Sequence, residues 1–158
     1  MRHPSNDPVC NVCKTNTGEN PSEGGIIWEN EHWLVRHTAA PYGVAGWMML
    51  HTQRHVGGPA HFNDAEAAAF GPTLRWLEKT LEEVTGALRI YTAALGESFP
   101  HFHAHMVPKY AEMPGDAKAF QVFALSGKAA AGEIKVDAAQ VAGIITRYRE
   151  ALKAGPPK

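Results

Sequence analysis

The sequence reads as an α+β chain: short strands form a small antiparallel sheet, one long helix follows the third strand, and a second helix lies near the C-terminus. Three observations predict this. Short apolar runs are punctuated by turn-forming residues, the mark of strands between turns. One long segment carries apolar residues at helical spacing behind a capping signal. His101-Phe102-His103-Ala104-His105-Met106-Val107-Pro108 alternates imidazole with apolar side chains, the period of a strand with two unlike faces.

The elements follow in order. The first 25 residues are turn-rich and hold both cysteines, Cys10 and Cys13. Gly25–Glu29 and Trp33–Arg36 read as strands joined by the polar turn Asn30-Glu31-His32. Pro41-Tyr42-Gly43 makes a turn, and Gly46–His51 reads as the third strand. A helix starts at Asn63, where Asn63-Asp64-Ala65-Glu66 has the capping-box form. Phe70, Leu74, Leu77, Leu81 and Val84 form its apolar stripe; Gly71-Pro72 predicts a kink or brief break, and Gly86 ends it. Trp76 is expected to pack rather than to function.

Leu88–Ala94 reads as a strand and Gly96–Pro100 as a turn, which makes the histidine segment an antiparallel neighbour of Leu88–Ala94. Pro108 lacks an N–H and should end that strand. A polar loop spans Ala111–Lys118, and Phe120–Leu125 reads as an edge strand. A last helix opens at Asp137 with a second capping box, closed by Gln140. Val141, Ile144, Ile145, Tyr148 and Leu152 give it an apolar stripe, and the tail 155–158 is expected to be disordered.

A chain of 158 residues suits one domain, 1–158, with room for a core. Hydrophobic residues at 44% and charged residues at 20% are ordinary for a soluble globular protein. A net charge of −1 gives no argument for binding nucleic acid or membrane. No apolar run approaches the roughly 20 residues needed to span a bilayer. The opening residues MRHPSNDPVCNVCK hold no signal-peptide core, so a cytoplasmic location is expected.

A disulfide within Cys10-Asn11-Val12-Cys13 would close too small a loop to stabilise much. The pair points instead to metal or redox chemistry. The polar, turn-rich segment Lys14–Pro21 argues for a zinc knuckle over a redox helix. A knuckle supplies two ligands, and tetrahedral zinc needs four.

On a strand, His101, His103 and His105 share one face about 6.5–7 Å apart, while Phe102, Ala104 and Met106 face the core. Imidazole serves as base, nucleophile and ligand. Catalysis by at least one of the three is the favoured reading, and metal binding by all three the alternative. H-φ-H-φ-H-φ-φ, with φ apolar, is the signature of the histidine triad (HIT) superfamily. The chain resembles that superfamily over roughly residues 8 to 110, through His101–Val107, the C-x-x-C pair and the order of elements. Ala94-Leu95-Gly96-Glu97-Ser98-Phe99-Pro100 resembles the corresponding segment of a bacterial, zinc-containing branch.

The resemblance implies a HIT-like α+β fold, with about five antiparallel strands and the long helix on one face, paired into a homodimer. It divides the chain into a zinc-knuckle segment 1–24, a HIT core 25–110 and a C-terminal extension 111–154 with a helix at about 137–152. It implies a nucleotide phosphoramidase or dinucleoside polyphosphate hydrolase, acting on a nucleotide or dinucleotide at the α-phosphorus through a covalent nucleotidyl-histidine. His103 would be the nucleophile. His105 would donate to the phosphoryl oxygens or the leaving group. Ser98 would stand near the leaving group, with backbone N–H groups around Gly96 and Glu97 forming an anion nest. Structural zinc would be held by Cys10, Cys13, His55 and His101, with His51 as the alternative to His55.

The sequence departs from the family pattern at three places. Val35-Arg36-His37-Thr38 holds no carboxylate where a ribose-gripping aspartate is common, leaving His37 and Thr38 for the sugar. Gly46-Trp47 stands where Gly-His is common, and Glu97 where glutamine often precedes the serine. These departures keep two further readings open: a nucleotide-binding or regulatory protein with little turnover, and a metalloenzyme that uses the triad as ligands.

Overall fold

The computed structural model describes residues 5–97 and 100–156. Five strands form one sheet: β1 (Ile26–Glu29), β2 (Trp33–His37), β3 (Met48–Thr52), β4 (Arg89–Ala93) and β5 (His103–Lys109). Their order is β1-β2-β3-β5-β4, and all neighbours are antiparallel. The expected α+β architecture is therefore observed. Four helices accompany the sheet: α1 (Asn11–Asn16), α2 (Asp64–Thr85), α3 (Ala124–Ala130) and α4 (Ala138–Leu152).

Strand alternation sets the two faces of the sheet. Trp33 and Val35 of β2, Met48 and Leu50 of β3, and Ala104 and Met106 of β5 enter one core with Leu77 and Leu81 of α2. Val141, Ile144, Ile145, Tyr148 and Leu152 of α4 enter the same core. Both long helices thus cover one face, and the buried Tyr148 hydroxyl donates to the Leu77 carbonyl at 2.9 Å to join them. Trp76 packs edge-on against Trp28, as expected of a packing residue.

The opposite face carries Leu34, Arg36, Met49, His51, His103 and His105, read from the cross-strand pairs Leu34–His51–His103 and Arg36–Met49–His105. Part of this face is roofed by a 3₁₀ turn (Ala119–Phe123) and α3, through Val122 and Leu125 packed on Val44, Trp47, Met49 and Val107.

The structure corrects several local expectations. Phe120–Leu125 is not an edge strand. Its buried residues Val122, Leu125 and, beyond it, Ala129 recur at spacings of three and four, which is helical. The α2 capping box at Asn63 and Glu66 and the left-handed cap at Gly86 form as expected. No break occurs at Gly71-Pro72, and α2 runs through it. Both residues are exposed, so water can serve the carbonyl that Pro72 leaves without an N–H.

β5 continues one residue past Pro108. The Lys109 carbonyl accepts from Leu88 N–H on the β4 side. The Pro108 nitrogen therefore points to the other side, where β3 has already ended at Met48. Asp137 caps α4 through the Ala139 N–H at 2.9 Å without the reciprocal Gln140 bond of a capping box. The tail reading at 157–158 falls outside the described residues. Among the described residues no helix is long and apolar enough to cross a membrane.

Candidate active site and metal centre

The cysteine pair opens a helix, contrary to the turn expected there. Cys10 is the N-cap of α1 and Cys13 lies inside it. The i, i+3 spacing places both sulfurs on one side of the first turn. Facing them are His101, just ahead of β5, and His55, beyond β3. Cys13 Sγ lies 3.3 Å from His55 Nδ1 and 3.3 Å from His101 Nδ1, and Cys10 Sγ lies 3.8 Å from His101 Nδ1. All four ligand atoms fall within 4.8 Å of one another.

Tetrahedral zinc with Zn–S near 2.3 Å and Zn–N near 2.05 Å has S···N edges of about 3.5 Å. The donor set fits that ion. His101 Nε2–H donates to the Thr52 carbonyl at 2.9 Å, which leaves Nδ1 as a lone pair toward the sulfurs. Burial holds His101 neutral, down to about 4, and pushes the Cys13 thiol up to about 11, with Cys10 beside it adding to the rise. His51 takes no part in this cluster.

The remaining histidines lie along β3 and β5. His103 Nδ1–H donates to the His101 carbonyl at 2.8 Å. A carbonyl can only accept, so the tautomer of the neutral ring carries its proton on Nδ1 and its lone pair on Nε2. Across the ladder, His51 is fully buried, its ring 6.2 Å from that of His103. Its Nδ1–H donates to Asn16 Oδ1 at 2.8 Å, and Arg36 Nε approaches its Nε2 at 3.4 Å. Burial, then the Arg36 charge, hold His51 well below the usual histidine range. Burial also lowers the Arg36 guanidinium to about 10, still charged at neutral pH.

His105 Nδ1 accepts from the Trp47 indole N–H at 3.1 Å, and its ring lies 5.3 Å from that of Phe123. Burial, then neighbouring His103, bring His105 down to about 4. Among the described residues, His103 and His105 join no metal-ligand cluster.

The other site residues named from the sequence separate. Gly96 lines a small slot of about 60 Å³ with Gly57, Gly58 and His103, while Glu97 is exposed. Ser98 lies outside the described residues. His37 is placed away from the histidine face. It pairs with Met48 on the core side, is fully buried, donates from Nδ1 to the Thr38 carbonyl at 2.8 Å and accepts the Gly46 N–H on Nε2 at 3.0 Å. Both its nitrogens are committed to the β2–β3 connection. Thr38 donates its N–H to the Trp47 carbonyl at 3.0 Å.

Arg36, Asn16, Trp47 and Phe123 are residues of the site that the sequence reading passed over. Alternation along β2 would have put Arg36 opposite Trp33 and Val35. A helix at 11–16 would have put Asn16 one turn from Cys13. Trp47 stood out only as the residue in place of the family's Gly-His histidine, and no local signal marks Phe123.

Neither a protein-family model nor a curated protein matches the chain. Solved structures do. A HIT-like protein of Bartonella henselae, described as involved in cell-cycle regulation, aligns at TM-score 0.66 and 13% identity, over 92% of this chain and 98% of its own. A hypothetical histidine triad nucleotide-binding protein of Sulfolobus tokodaii aligns at TM-score 0.67 and 14% identity, over 92% and 93%. A zinc-bound histidine triad family protein of Mycobacterium smegmatis aligns at TM-score 0.65 and 18% identity, over 92% and 94%. The chain has the fold of the histidine triad proteins.

Proposed function

We propose that this protein is a histidine triad hydrolase or transferase that acts at a nucleotide α-phosphorus, with His103 as nucleophile. The observation that carries the reading is the 2.8 Å bond from His103 Nδ1–H to the His101 carbonyl, which leaves Nε2 free to attack. Nε2 forms a bond to phosphorus as the bond to the leaving amine or phosphate breaks. Water then attacks the nucleotidyl-histidine and releases a nucleoside monophosphate. The Arg36 charge on the same face and the His105 ring beside His103 favour an anionic group at that place. Gly96 and Glu97 would border the phosphates, and Ser98 the leaving group.

Cys10, Cys13, His55 and His101 would hold a structural zinc, which when bound cross-links α1 to the start of β5 and supplies no chemistry to the reaction. A homodimer, a single domain and a cytoplasmic location belong to the same reading. A second reading, nucleotide binding with little turnover, is favoured by Thr38 in place of a carboxylate and by the Phe123 ring over His105.

The deciding experiment is AMP release from adenosine 5′-phosphoramidate by wild type and His103→Ala. Release that vanishes in the variant supports covalent chemistry at His103. No release by folded, zinc-loaded wild type, together with tight AMP binding, supports the second reading.

A further inference from the structure

His105 and Trp47 sit together in a way that limits what His105 can do. The indole N–H is a donor with no acceptor capacity. It points at His105 Nδ1 from 3.1 Å, so Nδ1 must be the unprotonated nitrogen and the ring proton must be on Nε2. Charging the imidazole would require a second proton on Nδ1, which would meet the indole N–H donor to donor. The aromatic walls reinforce this. Trp47 stands 5.6 Å from the His105 ring and Phe123 stands 5.3 Å from it, both edge-on, and Trp47 and Phe123 also pack on each other at 5.4 Å.

Among the described residues, the titratable and charged groups facing His105 are His103 beside it on β5, His51 on β3 and Arg36 on β2, in the same cross-strand row as Met49. None of these is a carboxylate that would stabilise an imidazolium. Across β4 the partner is Ala93.

We propose that Trp47 is a positioning residue that locks His105 as the neutral Nε2–H tautomer, so that His105 acts as a fixed hydrogen-bond donor to phosphoryl oxygen and not as the proton donor of the reaction. The proposal rests on the reading of His103 as nucleophile. A neutral imidazole that gave up its Nε2 proton would become an imidazolate, too strong a base to persist at neutral pH. The leaving nitrogen therefore takes its proton from solvent hydronium as the P–N bond breaks, and the water that then cleaves the nucleotidyl-histidine returns one proton to solvent. His105 keeps its own proton throughout and contributes as oxyanion-hole donors do.

The test is long-range ¹H–¹⁵N correlation of His105 in the full-length protein, wild type and Trp47→Phe. Wild type should show a protonated Nε2 and a lone-pair Nδ1, constant from pH 7.5 to pH 5.5. The variant, which keeps an aromatic ring and loses the donor, should show tautomer exchange at His105. A wild-type His105 protonated on Nδ1, or charged within that range, overturns the proposal even if the variant fails to fold. A Trp47→Phe signature identical to wild type overturns it as well. If the spectra behave as expected while adenosine 5′-phosphoramidate is untouched, the proposed function fails and the tautomer lock stands.

Discussion

The two ends of the triad segment use the same side chain for different ends. At the cysteine end, His101 gives its Nε2–H to the Thr52 carbonyl and turns Nδ1 toward sulfur. At the strand end, His103 gives its Nδ1–H to the His101 carbonyl and keeps Nε2 free. The local sequence around both is nearly identical: an imidazole flanked by apolar residues. What differs is which nitrogen the backbone takes. Under the proposed function, the partner of the idle nitrogen would decide whether the working nitrogen serves as a ligand or as a nucleophile.

The comparison can be broken from either end. His103→Ala should lower turnover by about 10³-fold or more, abolish the acid-labile, alkali-stable labelling by an α-³²P nucleotide, and leave zinc content unchanged. Cys13→Ser should do the reverse. Zinc per chain by atomic absorption should fall well below stoichiometric, and the thermal midpoint should drop by about 10 °C, matching a loss of about 3–5 kcal/mol. If His103→Ala also sheds zinc, the two ends are not separable.

Acid sharpens the contrast. Burial depresses His37, His51 and His105, the last to about 4. The unfolded chain takes up these protons as pH falls through about 6.5, and the native protein resists until far lower. Stability should therefore be full above pH 6.5 and decline steadily from there toward pH 4, seen as a falling urea midpoint. A flat midpoint across that window would mean these imidazoles are not buried neutral.

Asn16→Ala is the mildest of the four tests. It strands the buried His51 Nδ1–H, at about 1–3 kcal/mol. Because Asn16 lies on the helix that carries Cys13, its loss should also quicken zinc release to a chelator.

Much of this was legible in the residues. Alternation put Phe102, Ala104 and Met106 into the core and the imidazoles on the other face, because a strand leaves no third option. The α2 cap was legible because Asn63 and Glu66 satisfy it locally. The C-x-x-C pair read locally as a zinc knuckle, but its partners His55 and His101 were reached only through the family likeness, since no local rule links Cys13 to His55. The features missed are tertiary. α1 is a single short turn whose propensity is weak, and Cys13 is buried against histidines from elsewhere. Phe123 covers His105 only because α3 folds back over the sheet. Trp47 read only as a departure from the family's Gly-His until its indole N–H had an imidazole to meet.

The Thr52 carbonyl accepts two bonds at once, from Asn16 Nδ2–H and from His101 Nε2–H, each at 2.9 Å. The Thr52 hydroxyl, a few atoms away, is buried with no partner among the described residues. Selection can therefore see this junction only through the path of the chain. Valine should serve at position 52 as well as threonine, and a comparison of related sequences would pass over the position that ties the two ends together.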